Sequence, residues 1–110
     1  MHSLITDNLV RIQLLCEEYG VERLEVFGSI TTAAFDPARS DVDFLVTYPE
    51  GYDFGPWLGR YFALRERLAE LLGREVDLVR SSALQRERFR RLADQTRQVV
   101  YVAPKVAALA

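Results

Sequence analysis

The sequence predicts an α/β domain: a small mixed β-sheet of about four strands flanked by helices, in the order α-β-β-α-β-α-β. Three observations predict it. Stretches with apolar residues three and four positions apart are interleaved with short apolar runs of strand length. Glycines stand at Gly20 and Gly73, just past the two clearest helical stretches, where a helix stop belongs. The chain of 110 residues is the size of one domain, and 49% apolar residues supply one ordinary core, so residues 1–110 are expected to form a single unit.

The first helix is expected over about residues 4–19, with Ile5, Leu9, Ile12, Cys16 and Tyr19 on one stripe. A strand follows at Arg23–Phe27, where Leu24 and Val26 share a face, and Gly28-Ser29 breaks it. Residues 30–40 are a connection, and a second strand runs from Asp41 to Thr47. A loop rich in glycine and proline occupies 48–56. The second helix is expected over Trp57–Leu72, with Leu58, Phe62, Arg65, Leu68, Ala69 and Leu72 near one face. Glu75–Arg80 reads as a third strand. Ser81 or Ser82 can cap a third helix over Leu84–Ala93. Gln98–Val102 reads as a fourth strand, and the tail 103–110 is expected to fray.

Composition excludes several classes. No apolar run approaches the roughly 20 residues of a membrane span, and Met1–Gln13 lacks a basic start followed by an apolar block. Cys16 is the lone cysteine, so neither a disulfide within the chain nor a cysteine zinc site is expected, and its apolar helical position suits a core thiol. His2 is the lone histidine and sits at the end of the chain, which argues against histidine catalysis. These features fit a cytoplasmic protein. The net charge of −2 argues against dedicated nucleic-acid binding. It conceals an asymmetry: residues 1–55 carry ten acidic side chains against three arginines, and residues 56–110 carry six against eleven basic ones.

Chemistry concentrates in Asp41-Val42-Asp43-Phe44-Leu45-Val46. Side chains alternate along a strand, so Asp41 and Asp43 share one face while Val42, Phe44 and Val46 enter a core. Two neighbouring carboxylates repel unless a cation binds between them. Mg²⁺, a hard cation that keeps phosphate and water in its shell, suits that site. Asp77 lies within the apolar run Val76-Asp77-Leu78-Val79 and can join the pair if that strand lies alongside. Three carboxylates can hold two divalent ions, and the third can serve as a base. Gly28-Ser29, at a strand end, supplies a place where backbone N–H groups and the Ser29 hydroxyl can meet phosphate.

Val26-Phe27-Gly28-Ser29 followed by Ser40-Asp41-Val42-Asp43-Phe44-Leu45-Val46 resembles the Gly-Ser-x-Asp-x-Asp signature of the DNA polymerase beta-like nucleotidyltransferase superfamily. Leu72–Val79 resembles the third-carboxylate segment of its smallest branch, the minimal nucleotidyltransferases. Gln98–Tyr101 resembles that branch's closing strand, so the likeness covers about residues 3–102. The resemblance implies a nucleotidyltransferase fold and transfer of AMP from ATP to a hydroxyl with release of pyrophosphate. It implies Asp41, Asp43 and Asp77 as ligands of Mg²⁺, Asp77 as the base, and Gly28 and Ser29 at the triphosphate. It also resembles the MntA-type antitoxins, which implies a HEPN-domain toxin as partner, a tyrosine as acceptor and a hetero-oligomer. The family carries an Arg-x-Arg-Gly-like stretch after the serine, whereas this chain has Ile30-Thr31-Thr32-Ala33. Candidate substitutes for the missing cation are Arg86, Arg88, Arg90, Arg91 and Arg97, together with the hydroxyls of Thr31 and Thr32. That altered loop and Trp57 motivate an alternative: a catalytically weak or inactive subunit of the same fold that neutralises a HEPN partner by binding.

Overall fold

The computed structural model describes residues 2–33, 35–36, 38–83 and 96–104. The elements are α1 (Ser3–Thr6), α2 (Leu9–Tyr19), β1 (Arg23–Phe27), β2 (Val42–Thr47), α3 (Gly59–Leu72), β3 (Val76–Arg80) and β4 (Gln98–Val102). The expected third helix, Leu84–Ala93, lies outside the described residues.

One four-stranded sheet has the order β3-β2-β1-β4. β1 runs antiparallel to both β2 and β4, and β2 runs parallel to β3. The parallel pair needs a crossover, and α3 supplies it. Helices α2 and α3 pack on one face against Leu24, Val26, Val42, Phe44, Val46 and Leu78. The opposite face carries Glu25, Phe27, Asp43, Leu45, Asp77 and Val79, with Phe27 and Leu45 fully buried in a second apolar cluster. This two-sided sheet is why β2 reads as an almost continuous apolar run.

The expected helix over 4–19 is interrupted at Asp7-Asn8. The Asn8 side-chain amide donates to Leu4 O at 2.8 Å, occupying the acceptor that Asn8's own N–H would use in a continuing helix. Both pieces still present one stripe: Ile5, Ile12 and Cys16 are completely buried. Left-handed Gly20 ends α2, with Val21 N–H donating to Cys16 O.

The second helix begins at Gly59, two residues later than expected. Trp57 (φ 58°) and Leu58 (φ 56°) are left-handed, a conformation that blocks a helical start. Its buried stripe is Leu64, Leu68 and Leu72, whereas Leu58 and Phe62 are each 41% exposed. Leu68 and Leu72 are shared with the expected face, and Leu64 replaces Leu58 and Phe62 on it. Tyr61 accompanies the buried stripe, and its hydroxyl donates to Leu78 O on β3. β2 and β3 each start one residue later than expected, at Val42 and Val76, and Val42 N–H donates to Glu75 O at their mouth. At the other end of the chain Ala103 is held rather than frayed: its N–H donates to Glu22 O at 2.8 Å.

Candidate active site

The site forms where β1 ends and β2 and β3 begin. Phe27 pairs with Asp43, and Asp43 pairs in turn with Asp77 across the parallel ladder. Register partners on neighbouring strands project to the same face. The sheet thus sets the Asp43 and Asp77 carboxylates side by side on the face away from the helices. Asp41 precedes β2 by one residue, exposed at its mouth. Arg74 fastens this corner: its guanidinium lies 5.3 Å from the centre of the Phe35 ring and donates to Ser40 O at 3.4 Å.

Gly28 has φ +77°, and a Cβ there would sit 2.6 Å from Asp43 Oδ2. Only glycine lets the backbone lie against that carboxylate and turn into the single 3-10 turn Gly28–Thr31. The threonine hydroxyls after Ser29 serve this turn. Thr31 Oγ1 donates to Gly28 O at 2.8 Å and Thr32 Oγ1 to Ser29 O at 2.9 Å. Their hydrogens are therefore engaged locally, which corrects the expectation that these hydroxyls replace the missing cation. Gly28 N–H is engaged as well, donating to Thr96 Oγ1 at 2.9 Å. The N–H of Gly28 is thus committed within the fold.

Asp43 is half-buried and its pKa is pushed up from 3.8 to about 6, first by burial, then by the charges of Asp77 and Asp41. The donor set is entirely oxygen, close to the backbone of Gly28 and crowded with negative charge, which suits a hard divalent cation. Among the described residues, no three carboxylates close into a ready-made metal cage. The expected Asp41, Asp43 and Asp77 set is therefore not gathered into one such cluster; the register pair is Asp43 with Asp77.

A cleft of about 420 Å³ adjoins Asp41 and Asp77, walled by Arg65, Glu66 and Ala69 of α3 and by Glu75. A second groove, about 480 Å³, lies between α2 and α3 around Leu14, Leu15 and Leu71, on the helical layer rather than at the carboxylates. Tyr48, Tyr52 and Phe54 stack on one another with ring centres 4.6 to 4.8 Å apart, in the loop beyond the far end of β2. They are a small packed cluster away from Asp43. Of the arginines considered for the phosphate, Arg86, Arg88, Arg90 and Arg91 lie outside the described residues. Arg97 pairs with Glu25 (Nε–Oε2 3.3 Å). Glu25, Arg74 and Thr96 were not singled out by sequence. Glu25 left a signal, a lone acid inside the apolar strand Leu24–Phe27; Thr96 left none.

The family model described as the nucleotidyltransferase domain matches residues 12–103. The chain belongs to the nucleotidyltransferase domain family. It is similar to MJ0128 of Methanocaldococcus jannaschii, provisionally assigned as a protein adenylyltransferase, at 30% identity over 82% of this chain and 85% of that one. A solved structure provisionally assigned as a minimal nucleotidyltransferase matches with TM-score 0.68 and 30% identity, over 89% of this chain and 95% of that one. A Shewanella oneidensis complex of a tri-AMPylated HEPN toxin with an MNT antitoxin matches with TM-score 0.62 and 18% identity, over 94% of this chain and 77% of that one. The last likeness shows the fold. This protein is a nucleotidyltransferase of the minimal type, with the four-stranded mixed sheet of its structural neighbours.

Proposed function

We propose that this nucleotidyltransferase transfers AMP from ATP to a tyrosine hydroxyl of a HEPN-domain partner, as the antitoxin of a two-gene system. The observation that carries the reaction is the register pairing of Asp43 with Asp77 beside Gly28. The relative assigned to protein adenylylation and the fold shared with an antitoxin bound to an AMPylated toxin support the acceptor class. Asp41, Asp43 and Asp77 would hold Mg²⁺, which supplies charge neutralisation to the phosphate oxygens when bound. Gly28 holds the turn in which Ser29 meets the triphosphate. Asp77, exposed on the edge strand and lining the cleft, would take the proton of the incoming hydroxyl. The acceptor oxygen forms its bond to the α-phosphorus, the bond to the bridging oxygen breaks, and pyrophosphate leaves. Incubation with labelled ATP, Mg²⁺ and the partner protein tests this. Label on the partner is expected, with none from Asp41→Ala or Asp43→Ala proteins that remain folded. An intact partner that stays unlabelled by the wild-type protein refutes it.

A second reading is neutralisation by occlusion. Trp57 is 94% exposed, beside Leu58 and Phe62 at 41% each, and large exposed aromatics are frequent anchors at interfaces. Full neutralisation of the partner by Asp43→Ala protein would establish this reading in place of catalysis.

A further inference from the structure

Glu25 is the one charged side chain among the described residues that is buried, at 4% exposure. It lies on the same sheet face as Asp43 and Asp77. Arg23 Nε meets its Oε1 at 3.1 Å and Arg97 Nε meets its Oε2 at 3.3 Å. A carboxylate buried so fully requires such partners, because an unpaired charge there would lose its hydration without return. Arg97 is consequently held in place, and Thr96 with it. Thr96 lies just before β4, beyond the Val26–Gln98 pair, where the antiparallel ladder would bring it opposite Gly28. Its hydroxyl accepts the Gly28 N–H at 2.9 Å in place of a backbone ladder bond.

We propose that Thr96 is a positioning residue of the nucleotide site: anchored through Arg97 to buried Glu25, its hydroxyl fixes Gly28, and with it the turn that carries Ser29 to the triphosphate. This rests on the nucleotide-binding reading of the site. Gly28 is the pivot for two functional groups. Its backbone lies against Asp43 Oδ2, so a shift of Gly28 displaces the carboxylate, and its φ of +77° directs the turn after it. With Thr31 on its carbonyl and Thr96 on its N–H, both polar groups of the glycine are held by side chains. Such a clamp limits motion of a residue whose missing side chain leaves it the freest backbone in the chain. A chain without the Arg-x-Arg-Gly-like stretch depends more on preorganised geometry, since a charge-assisted contact is absent.

The test compares wild type with Thr96→Val, which keeps the shape and removes the hydroxyl, and with Thr96→Ser, which restores it. Two readouts are used on the full chain: amide hydrogen exchange at Gly28 without nucleotide, and calorimetric titration with ATP and Mg²⁺. The expected result for Thr96→Val is exchange at Gly28 at least about tenfold faster and a Kd for ATP raised about threefold to tenfold, the range one hydrogen bond spans. Thr96→Ser is expected to return both values to within about twofold. Glu25→Gln, which loosens Arg97 without an added volume, is expected to shift both readouts in the same direction, and it stands in if Thr96→Val fails to fold. Faster exchange with an unchanged Kd would show that Thr96 serves only the fold and would overturn the proposal. Unchanged exchange would overturn the tether itself. A wild-type protein that binds no ATP would overturn the nucleotide reading and the proposal together, while the exchange result would still report on the tether.

Discussion

Replacing Asp43 by asparagine should stabilise the metal-free protein while abolishing transfer. The carboxylate is half-buried and faces Asp77 and Asp41, and its pKa rises from 3.8 to about 6. About two pKa units at about 1.4 kcal/mol each is roughly 3 kcal/mol of strain in the ionised native state. Partial solvent access screens this to about 1–1.5 kcal/mol. The penalty is complete well above pH 6, where the group is ionised in both folded and unfolded chains. It shrinks as pH falls from about 6 toward 3.8 and is gone only well below 3.8, where both are protonated. The wild type therefore gains stability relative to Asp43→Asn as pH falls from about 7 to 4. The assay is urea unfolding of both proteins in chelator at pH 7.5 and pH 4.5, then in Mg²⁺ at pH 7.5. Asp43→Asn is expected to be more stable by about 1–1.5 kcal/mol at pH 7.5, with the gap closing at pH 4.5 and shrinking in Mg²⁺. An Asp43→Asn protein that is less stable than wild type in chelator at pH 7.5, or a gap that ignores pH, refutes the crowded-carboxylate account.

Four further outcomes are expected. Gly28→Ala should lose about 1–3 kcal/mol by thermal melting, because alanine is strained at φ +77° and its Cβ meets Asp43 Oδ2 at 2.6 Å; calorimetry should show ATP binding lost with it. Phe44→Ala, at a completely buried position between the helices and the sheet, should cost about 3–5 kcal/mol in urea unfolding. Trp57→Ala should leave the unfolding free energy unchanged within about 0.5 kcal/mol, since Trp57 is 94% exposed, and should weaken partner binding in a pull-down titration. Cys16, its thiol pushed up to about 12 by burial and then by Glu17, should resist a maleimide in the folded protein and react at once in urea.

Much of the site was legible in sequence because strand alternation is local. Asp43 and the core set Val42, Phe44 and Val46 follow from a period of two, and Phe44, Val42 and Val46 are all completely buried. The helices were less legible at their ends. Asn8 offers its side chain to Leu4 O, and nothing in an apolar periodicity announces that competition. On α3 the expected stripe held at Leu68 and Leu72, but its first turns, Leu58 and Phe62, are exposed and Leu64 is buried instead, beside Tyr61, whose hydroxyl reaches β3. The threonines after Ser29 looked available for phosphate until the turn engaged both hydroxyls.

By itself the sequence determined the order of the four strands along the chain, the glycine at the end of β1 and the core-facing set Val42, Phe44 and Val46, since each follows from residues a few positions apart. The tertiary structure alone decided that Asp77 stands beside Asp43, that Gly28 lies against its carboxylate, and that Thr96 reaches the glycine from 68 residues away. Those contacts depend on strand register and on which strand neighbours which. Register is a property of the assembled sheet, where burying both faces of β2 selects one pairing out of many.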